Sequence, residues 1–509
     1  MMSASRQTVG LAHHNWISGT LELTSKVRYG ITSRGVPIFR FIPYDKRFSP
    51  FAVGCSQRNL FYNIHAIVEP SSDSQQQEKG LMQKANLVQN LGIPSDQTEL
   101  QVIIAAYAYD SCKSQRSFPT YELPNPQTKT RPFLEGFTFH IDPPGCKDVD
   151  DSFTISYNTN EDIWNIAINI ADVSELVQED SVLDLVAKER STSFYNPNGA
   201  VLYPMLPQEI SEGMASLLPG SEAKPTLSLC FTYSEKSREI LTKPSWKLTQ
   251  TLTTASYTYE EANKCLKDIK ELQILSSFAK APDSHEWVEN MMIFYNKHAG
   301  EILAKHGTGI LRRHSESSAD TGVIVIPEIP EFLTYEAAEY CLPTDENIRH
   351  FGLDSEFYAY ASSPIRRYAD LVNQRAIKKI IEGLPSSPSA QVLIDDLNRR
   401  QKQAKAFSRD LFFMTNLSSY KDQDQNKLIH GIVVSHILEA EAGAKAKAKA
   451  KAKAKIWVPE WKRMITSKGL VTNQYPLLQQ PGTKVSIQWY ECHQEARWKE
   501  KIVFKINSN

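Results

Sequence analysis

The chain has 509 residues, of which 41% are hydrophobic and 23% are charged. This is the composition of a globular protein with room for about two to four domains. Its 57 basic and 58 acidic residues nearly cancel, giving a formal net charge of −1. A protein that coats nucleic acid over its whole surface is usually basic, so any nucleic-acid site here must be a local basic groove.

The seven cysteines are scattered singly, with no CxxC pair and an odd count. This pattern argues against a zinc cluster or a disulfide framework and fits a reducing compartment. The N-terminus has no apolar segment of the secretory type. No stretch approaches the roughly 18–20 apolar residues of a membrane span. We therefore expect a soluble, cytoplasmic protein. Separately, we expect it to be a monomer.

Short strand-like segments dominate the first part of the chain. Residues 35–45 and 61–70 alternate apolar and polar positions, and 100–109 is a further apolar strand candidate. We expect residues 1–120 to form a small β domain of the OB or cold-shock type. A proline-punctuated linker follows at 119–132.

A larger mixed domain is predicted over residues 121–425. Residues 164–173 are typical of a buried strand. Three long helices are predicted, at 287–307, 363–383 and about 390–420.

Residues 426–509 are predicted to form a second small OB-like β-barrel that binds RNA, with strand-like segments at both ends. Between these ends, Ala444 to Lys455 is a strict alternation of alanine and lysine. As a helix it would carry lysine on every side, so no single face could pack. We expect a solvated loop insertion. The alternative is a mobile basic arm that contacts phosphates.

The strongest chemical signal is a cluster of four aspartates within ten residues: Asp142, Asp148, Asp150 and Asp151. A strand with alternating apolar residues leads into Asp142, two prolines end it, and Gly145 allows a turn. Crowded carboxylates raise one another's pKa, and bound Mg²⁺ or Mn²⁺ would remove that penalty. Two such ions about 4 Å apart can drive phosphodiester hydrolysis.

The aspartates have two other interpretations. The first is an ordinary acidic surface turn with capping aspartates. The second is a calcium loop, but counting from Asp148 the EF-hand pattern fails, because Phe153 and Thr159 stand where glycine and glutamate are required.

A pair of arginines is the second signal. Ser363 can cap a helix and Pro364 suits its first position, which puts Arg366 and Arg367 in the first turn. Arginines at a helix N-terminus can clamp a phosphate. The alternative is a local ion pair between Arg366 and Asp370.

Tyrosines are candidates for stacking on bases, which grips single strands without recognising their sequence. Most tyrosines are half-buried packing residues, so each one alone is weak evidence. The candidates are Tyr195, Tyr257, Tyr259, Tyr358, Tyr360 and Tyr368.

Several segments together resemble the RNB family, which includes ribonuclease II, ribonuclease R and the catalytic subunit of the exosome. The similar segments occur in the family's order over roughly residues 120–420. They are IDPPGCKDVDD (141–151), NIADVSELV (169–177), SFYNPNGAVLYPMLPQEIS (193–211), ASYTYEEA (255–262) and HFGLDSEFYAYASSPIRRYADLVNQR (350–375). Two positions depart from the family pattern, where Asn169 and Gln374 each stand in place of a common histidine.

The resemblance implies an α+β fold in which a central RNB catalytic domain is flanked by OB-like RNA-binding barrels. It implies that the metal ligands are Asp142, Asp148, Asp150 and Asp151. The residues predicted to act in catalysis are Asp150, Arg366 and Tyr259. The predicted RNA-binding residues are Tyr195, Arg366, Arg367, Tyr360 and Glu289, of which Glu289 is placed as a further acid of the active site.

The activity that these features predict is processive hydrolysis of single-stranded RNA from the 3′ end to nucleoside 5′-monophosphates, with two metal ions. One alternative is a non-catalytic RNB-type protein that binds RNA. Another is a metal-dependent phosphodiesterase that cuts internally or acts on DNA.

Overall fold

The computed structural model describes residues 16–71, 82–111, 118–124, 131–315, 337–386, 388–421, 428–439, 451–461, 463–471, 480–491 and 502–507. The fold is α+β, as predicted. The chain divides into two compact units. One combines described residues within 1–116 with those within 405–509, and the other contains those within 117–317 and 335–404.

The N-terminal strands form a closed barrel of the OB type. They are β1 (Ile17–Leu21), β2 (Ile38–Pro43), β3 (Phe51–Gly54), β4 (Ile64–Pro70) and β5 (Gln83–Gly92). Their order is β1-β2-β3-β5-β4, with β4 returning to β1 and β3 parallel to β5. Alternating residues such as Phe39, Phe41 and Val53 fill the interior. The strands predicted in 35–45 and 61–70 are confirmed.

The strand predicted at 100–109 is wrong, because these residues belong to helix α1 (Asp96–Ser111). Ser95 precedes the helix and its hydroxyl accepts from the Thr98 N–H, while Asp96 and Glu99 place negative charge in the first turn. A short apolar run does not distinguish a buried helix from a strand by its periodicity. The capping residues before the run were the overlooked signal.

The second unit is built around one large sheet. The strands of this unit, not all of which belong to the large sheet, are β6 (Phe137–Ile141), β7 (Asp151–Asn158), β8 (Ile163–Ala171), β9 (Phe194–Tyr195), β10 (Val201–Tyr203), β11 (Lys224–Ser234), β12 (Glu239–Ile240), β13 (Ser245–Thr251), β14 (Ala255–Tyr257), β15 (Leu311–Arg313) and β16 (Glu339–Cys341). Its α-helices are α2 (Val182–Arg190), α3 (Tyr259–Cys265), α4 (Lys270–Ala279), α5 (Ser284–Lys305), α6 (Tyr368–Ile381) and the start of α7 (Gln391–Lys421). Short helices of other types cover Val173–Glu175, Glu209–Met214 and Phe351–Leu353.

The main sheet has the order β12-β11-β8-β7-β6-β14, with β13 also paired to β11. One face is apolar and packs with residues of α4 and α5, among them Trp287 and Met291. The other face carries a buried hydroxyl and amide network in which Asn169 contacts Thr154 and Ser228. The predicted buried strand and the helices predicted at 287–307 and 390–420 are confirmed.

The predicted helix at 363–383 begins later than expected. Residues 364–366 form a turn, and α6 starts at Tyr368 with Arg367 as its N-cap. The Ser363 N–H donates to Asp370 and the Ile365 N–H donates to Asp150, so side-chain carboxylates hold this turn. These tertiary contacts override the local helix signal of Ser363 and Pro364.

The C-terminal strands form a five-stranded sheet. They are β17 (Ile429–Glu439), β18 (Lys451–Val458), β19 (Arg463–Val471), β20 (Lys484–Glu491) and β21 (Ile502–Asn507). Their order, β19-β18-β17-β20-β21, is that of the N-terminal barrel opened between its third and fifth strands. Helix α7 ties this sheet to the N-terminal barrel within one unit, because Asp410 accepts from Tyr44 and Tyr107 and pairs with Arg463.

The loop interpretation of the Ala-Lys repeat is wrong for its second half. Residues 451–455 lie in β18, which pairs with β17 on one side and β19 on the other. Ala454 is buried and Lys455 is exposed. Strict alternation has the period of a strand, which places alanine inward and lysine outward. Residues 444–450 lie outside the described residues.

None of the helices among the described residues has both the length and the apolar character that a bilayer span requires.

The strand assignment of the repeat predicts unequal effects of two neighbouring substitutions. Ala454→Lys should lower the midpoint of thermal unfolding by several degrees, because Ala454 is about 1% exposed and a buried unpaired ammonium is strongly unfavourable. Lys455→Ala, on the exposed side of the same strand, should leave the midpoint nearly unchanged. Equal, negligible shifts in both variants would favour the solvated loop.

Candidate active site

Two neighbouring strands bring the predicted acidic residues to one end of the main sheet. Asp142 directly follows β6, and its N–H donates to the carbonyl of Tyr257 at the end of the parallel strand β14. Asp151 is the first residue of β7, paired with Ile170 of β8. The loop between Asp142 and Asp151 therefore begins and ends at the same end of the sheet. Gly145 turns this loop with φ of +80°, where a side chain would be strained.

The loop backbone is fixed by a serine from a distant segment. The hydroxyl of Ser216 accepts from the Val149 N–H at 3.1 Å and donates to the Lys147 carbonyl at 2.6 Å. The Asp150 carbonyl accepts from the N–H of Ala171 at 2.9 Å. These bonds hold the acidic side chains on a rigid support.

Asp150 is the centre of the site. Its carboxylate is buried and accepts from the Ile365 N–H at 2.8 Å and from Nε of Arg366 at 3.2 Å. Burial raises the pKa of Asp150 to about 7, although Arg366 and the Ile365 N–H act in the opposite direction. The Arg366 side chain remains about half exposed, so its guanidinium can also meet a ligand.

Asp151 lacks a partner for one of its carboxylate oxygens. Oδ2 is buried and makes no hydrogen bond to any other residue that the structure describes. Burial, together with the charges of Asp142 and Asp150, raises the pKa of Asp151 well above its usual range. A buried carboxylate oxygen without a donor is unfavourable unless a cation or proton compensates it.

The other two aspartates have protein partners. Nδ1 of His140 lies 2.8 Å from Oδ2 of Asp142, and the hydroxyl of Tyr195 donates to Oδ2 of Asp148. Burial and the charge of Asp148 raise the pKa of Tyr195, so this hydroxyl stays protonated as a donor.

The donor set fits a hard divalent cation in its chemistry, since four carboxylates meet on one loop and Asp151 has a buried oxygen without a donor. These carboxylates share one loop and its two ends, but they do not converge on a closed site. Within the described residues, no three His, Cys, Asp or Glu side chains are grouped so that they could hold a metal ion. Binding would require carboxylates to turn from partners such as His140 and Tyr195.

Tyr259 lies beside the carboxylates and Glu289 does not contact them. Burial raises the pKa of Tyr259, and the charges of Asp142 and Asp151 add to this effect. Its ring stacks on His285, with 3.8 Å between centroids. Glu289 is exposed on α5 and has no hydrogen bond or ion pair to another described residue. Its predicted role at the site gains no support from this position.

The arginines do not pair as the local alternative proposed. Arg367, not Arg366, donates to Asp370, at 2.7 Å, and Arg366 turns to Asp150. The guanidinium of Arg367 lies 4.1 Å from the ring centroid of Tyr360, over which Arg312 also lies at 4.3 Å. Tyr360 therefore supports two protein cations, and its predicted stacking on RNA stays a prediction.

Three side chains near the site were missed from the sequence. His140 stands two residues before Asp142 on the same strand, and the period-2 pattern could have identified it. The other two are His285, which stacks on Tyr259, and Ser216, which holds the aspartate loop. Both come from distant segments, so no local pattern indicates them. Gln374, which departs from the family pattern, has a structural role. Its side-chain oxygen accepts from the Ser174 N–H, and its side-chain nitrogen donates to the Ala171 carbonyl.

Residues 131–281 and 329–383 match the model of the RNB domain family. This is the part of the chain that carries the aspartate loop, Tyr259 and the arginines. Over these residues the chain therefore contains an RNB domain.

Curated relatives agree with this assignment. The chain is 27% identical to ribonuclease R of Buchnera aphidicola over 326 residues, which cover 48% of this chain and 44% of that protein. It is 26% identical to exoribonuclease 2 of Psychromonas ingrahamii over 404 residues, which cover 63% and 60%. The chain spans about half the length of the curated relatives it matches.

Solved structures share the fold at low identity. Apo RNase R of Mycoplasma genitalium matches with a TM-score of 0.67 and 14% identity, covering 97% of this chain and 90% of that one. Yeast Ssd1, described as a pseudonuclease, matches with a TM-score of 0.66 and 16% identity, covering 89% and 65%. The fold is thus shared with a ribonuclease and with a protein described as a pseudonuclease.

If this site cleaves RNA, Arg366→Lys should lower kcat on RNA strongly and change RNA binding little. Lysine keeps the charge but lacks the planar group that can contact Asp150 and a phosphate together. Removal of one such stabilising donor slows comparable reactions by about 10²-fold or more. Single-turnover rates and binding titrations on the same RNA measure the two effects, with the exposed Arg238→Lys as the matched control. Wild-type turnover in Arg366→Lys would show that its contact with Asp150 is only structural.

Proposed function

We propose that this protein is a metal-dependent exoribonuclease that degrades single-stranded RNA from its 3′ end and releases nucleoside 5′-monophosphates processively. The observation that carries the proposal is the pairing of buried Asp150 with half-exposed Arg366 inside a cluster of four aspartates. An acidic cluster next to an accessible guanidinium suits phosphodiester chemistry, in which negative charge must be both bound and stabilised.

The residues that would hold divalent cations are Asp142, Asp148, Asp150 and Asp151. The proposed cofactor is Mg²⁺ or Mn²⁺, and what it supplies when bound is compensation of the carboxylate charges and activation of water. The unpartnered oxygen of Asp151 and the raised pKa of Asp150 support this assignment.

Residues of the chain would perform the remaining tasks. Arg366 would contact the scissile phosphate while Asp150 fixes its orientation through Nε. Tyr195 would stack near the 3′-terminal nucleotide, and Tyr259 would border the reacting group. The charges of Asp142 and Asp151 acting on Tyr259 support its place there.

RNA as the substrate is supported by the relatives. Structures of Mycoplasma genitalium RNase R similar to this chain are in complex with double-stranded RNA and with ribose-methylated single-stranded RNA. We propose that an RNB catalytic domain at 121–425 acts with an N-terminal domain at 1–120 and a C-terminal domain at 426–509. Arg367 and Tyr360 would support the RNA path from beside Arg366.

A non-catalytic RNA-binding protein is the second candidate. Two observations favour it: no three ligand side chains converge among the described residues, and the fold resembles the pseudonuclease Ssd1. The presence of all four aspartates argues for catalysis.

Metal dependence and polarity are tested together on 5′-labelled linear RNA separated on a sequencing gel. With Mg²⁺ we expect a ladder of products that shorten from the 3′ end, and no products in EDTA. A circular RNA of the same sequence should persist, since it offers no 3′ end. Efficient cutting of the circle, or full activity in EDTA, would contradict the proposal.

Asp150→Asn should separate turnover from binding. Because the pKa of Asp150 is raised to about 7, its neutral form is accessible in the fold, and asparagine can still accept from the Ile365 N–H. We expect normal folding, RNA binding close to that of the parent, and turnover at least ~10²-fold slower. A gel-shift titration and a single-turnover assay are the measurements, with exposed Asp268→Asn as control. Unchanged turnover would make Asp150 an ordinary buried residue of the loop.

A further inference from the structure

The first turn of helix α5 carries an exposed histidine beside Tyr259. The N-cap of this helix, Asp283, accepts from the N–H groups of His285 and Glu286 at 2.9 and 3.2 Å. The neighbouring Ser284 is buried, and its hydroxyl donates to the Tyr259 carbonyl at 2.7 Å. The start of α5 is therefore fixed against the start of α3, where Tyr259 stands.

The ring of His285 lies flat on the ring of Tyr259. The two planes are 12° apart and 3.8 Å separates their centroids, so the rings are in direct contact. Stacked rings stabilise each other beyond the area that they bury, and each restricts the rotation of the other. The side chain of His285 is 67% exposed, so it takes no part in the hydrophobic core. The consequence of the contact therefore falls on Tyr259.

Tyr259 depends on the packing of its ring for its orientation. Its hydroxyl makes no hydrogen bond to another residue within the described part of the chain. Burial raises the pKa of this hydroxyl, and the charges of Asp142 and Asp151 add to the effect, which places the side chain beside the acidic cluster. The ring packs at the margin of the core, and His285 covers one of its faces. A side chain that no hydrogen bond holds is free to rotate when such a contact is lost.

We propose that His285 is a positioning residue for RNA cleavage, in which its imidazole stacks on Tyr259 and holds the Tyr259 hydroxyl beside the acidic cluster. The inference rests on the proposed function, because it assigns a support to a residue of that site. The face of Tyr259 that His285 covers is closed to bases, so Tyr259 would meet RNA through its hydroxyl and its other face. The planar shape of the imidazole performs this role, and its nitrogens transfer no proton.

Two substitutions of His285 separate ring shape from imidazole chemistry. His285→Leu removes the planar ring and should lower kcat about 3- to 10-fold, the range that one stacked aromatic pair contributes. His285→Phe keeps a planar ring without nitrogens and should restore the wild-type kcat across the pH profile. KM should change little in both variants, because other groups hold the RNA. His306→Leu is the matched control, since His306 is exposed at the opposite end of α5.

A double substitution tests whether His285 acts through Tyr259. In the Tyr259→Ala background, His285→Leu should cause no further loss of kcat, because the ring that it supports is absent. The melting midpoints of His285→Leu and wild type should agree, since the replaced side chain is exposed and outside the core. A midpoint that falls together with kcat would make His285 a structural residue and overturn the inference.

Failure of this inference is distinguishable from failure of the proposed function. If wild type degrades RNA from the 3′ end and His285→Leu turns over equally fast, the inference is wrong and the proposed function stands. The same holds if His285→Phe is as slow as His285→Leu, because the imidazole nitrogens would then act in the reaction. It also holds if His285→Leu slows the Tyr259→Ala variant as much as it slows wild type. If wild type degrades no RNA, both are wrong.

Discussion

The burial of one carboxylate organises the candidate site. Asp150 is held by the Ile365 N–H and by Arg366, which lie more than 200 residues further along the chain. A buried carboxylate is tolerated only when donors satisfy it. The aspartate loop and the turn at 363–367 must therefore fold together, and the contact with Asp150 sets the position of Arg366. Asp370, in the first turn of α6, completes this arrangement by accepting from Arg367 and from the Ser363 N–H.

The cluster as a whole is electrostatically incomplete. Arg366 compensates Asp150, but Asp151 keeps a buried oxygen without a donor, and its pKa is raised by burial and by its acidic neighbours. Such unsatisfied charge is unfavourable for folding and concentrates at functional sites. Divalent cations would relieve it. This need links the fold of the loop to the proposed chemistry more directly than the resemblance to known ribonucleases does.

Sequence patterns predicted the features that local chemistry determines. Four carboxylates on a short turn, the long amphipathic α5 and the alternating strands β2, β4 and β8 all follow from spacing within a few residues. The candidate site residues were predicted because they stand in such motifs. Their hydrogen-bond partners could not be predicted in this way, since a contact such as that between Arg366 and Asp150 depends on the tertiary fold. For the same reason Asp370 bonds Arg367 rather than Arg366, and the turn at 364–366 replaces the first turn of the predicted helix.

Two errors have local causes. Residues 100–109 are apolar without a distinct period, so their pattern does not distinguish a helix from a strand. The capping residues that precede them indicate helix α1. The Ala-Lys repeat cannot pack as a helix, which predicts a loop. Its strict alternation is, however, the period of a strand, and its last residues belong to β18.

Binding of Mn²⁺ followed by electron paramagnetic resonance tests the central claim, that this acidic cluster holds divalent cations. The free Mn²⁺ signal should fall when wild-type protein is added, and Mg²⁺ should restore it by competition. Asp151→Asn should abolish most of this binding, whereas exposed Asp268→Asn should not. Equal Mn²⁺ binding by wild type and Asp151→Asn, or no binding by either, would contradict the account.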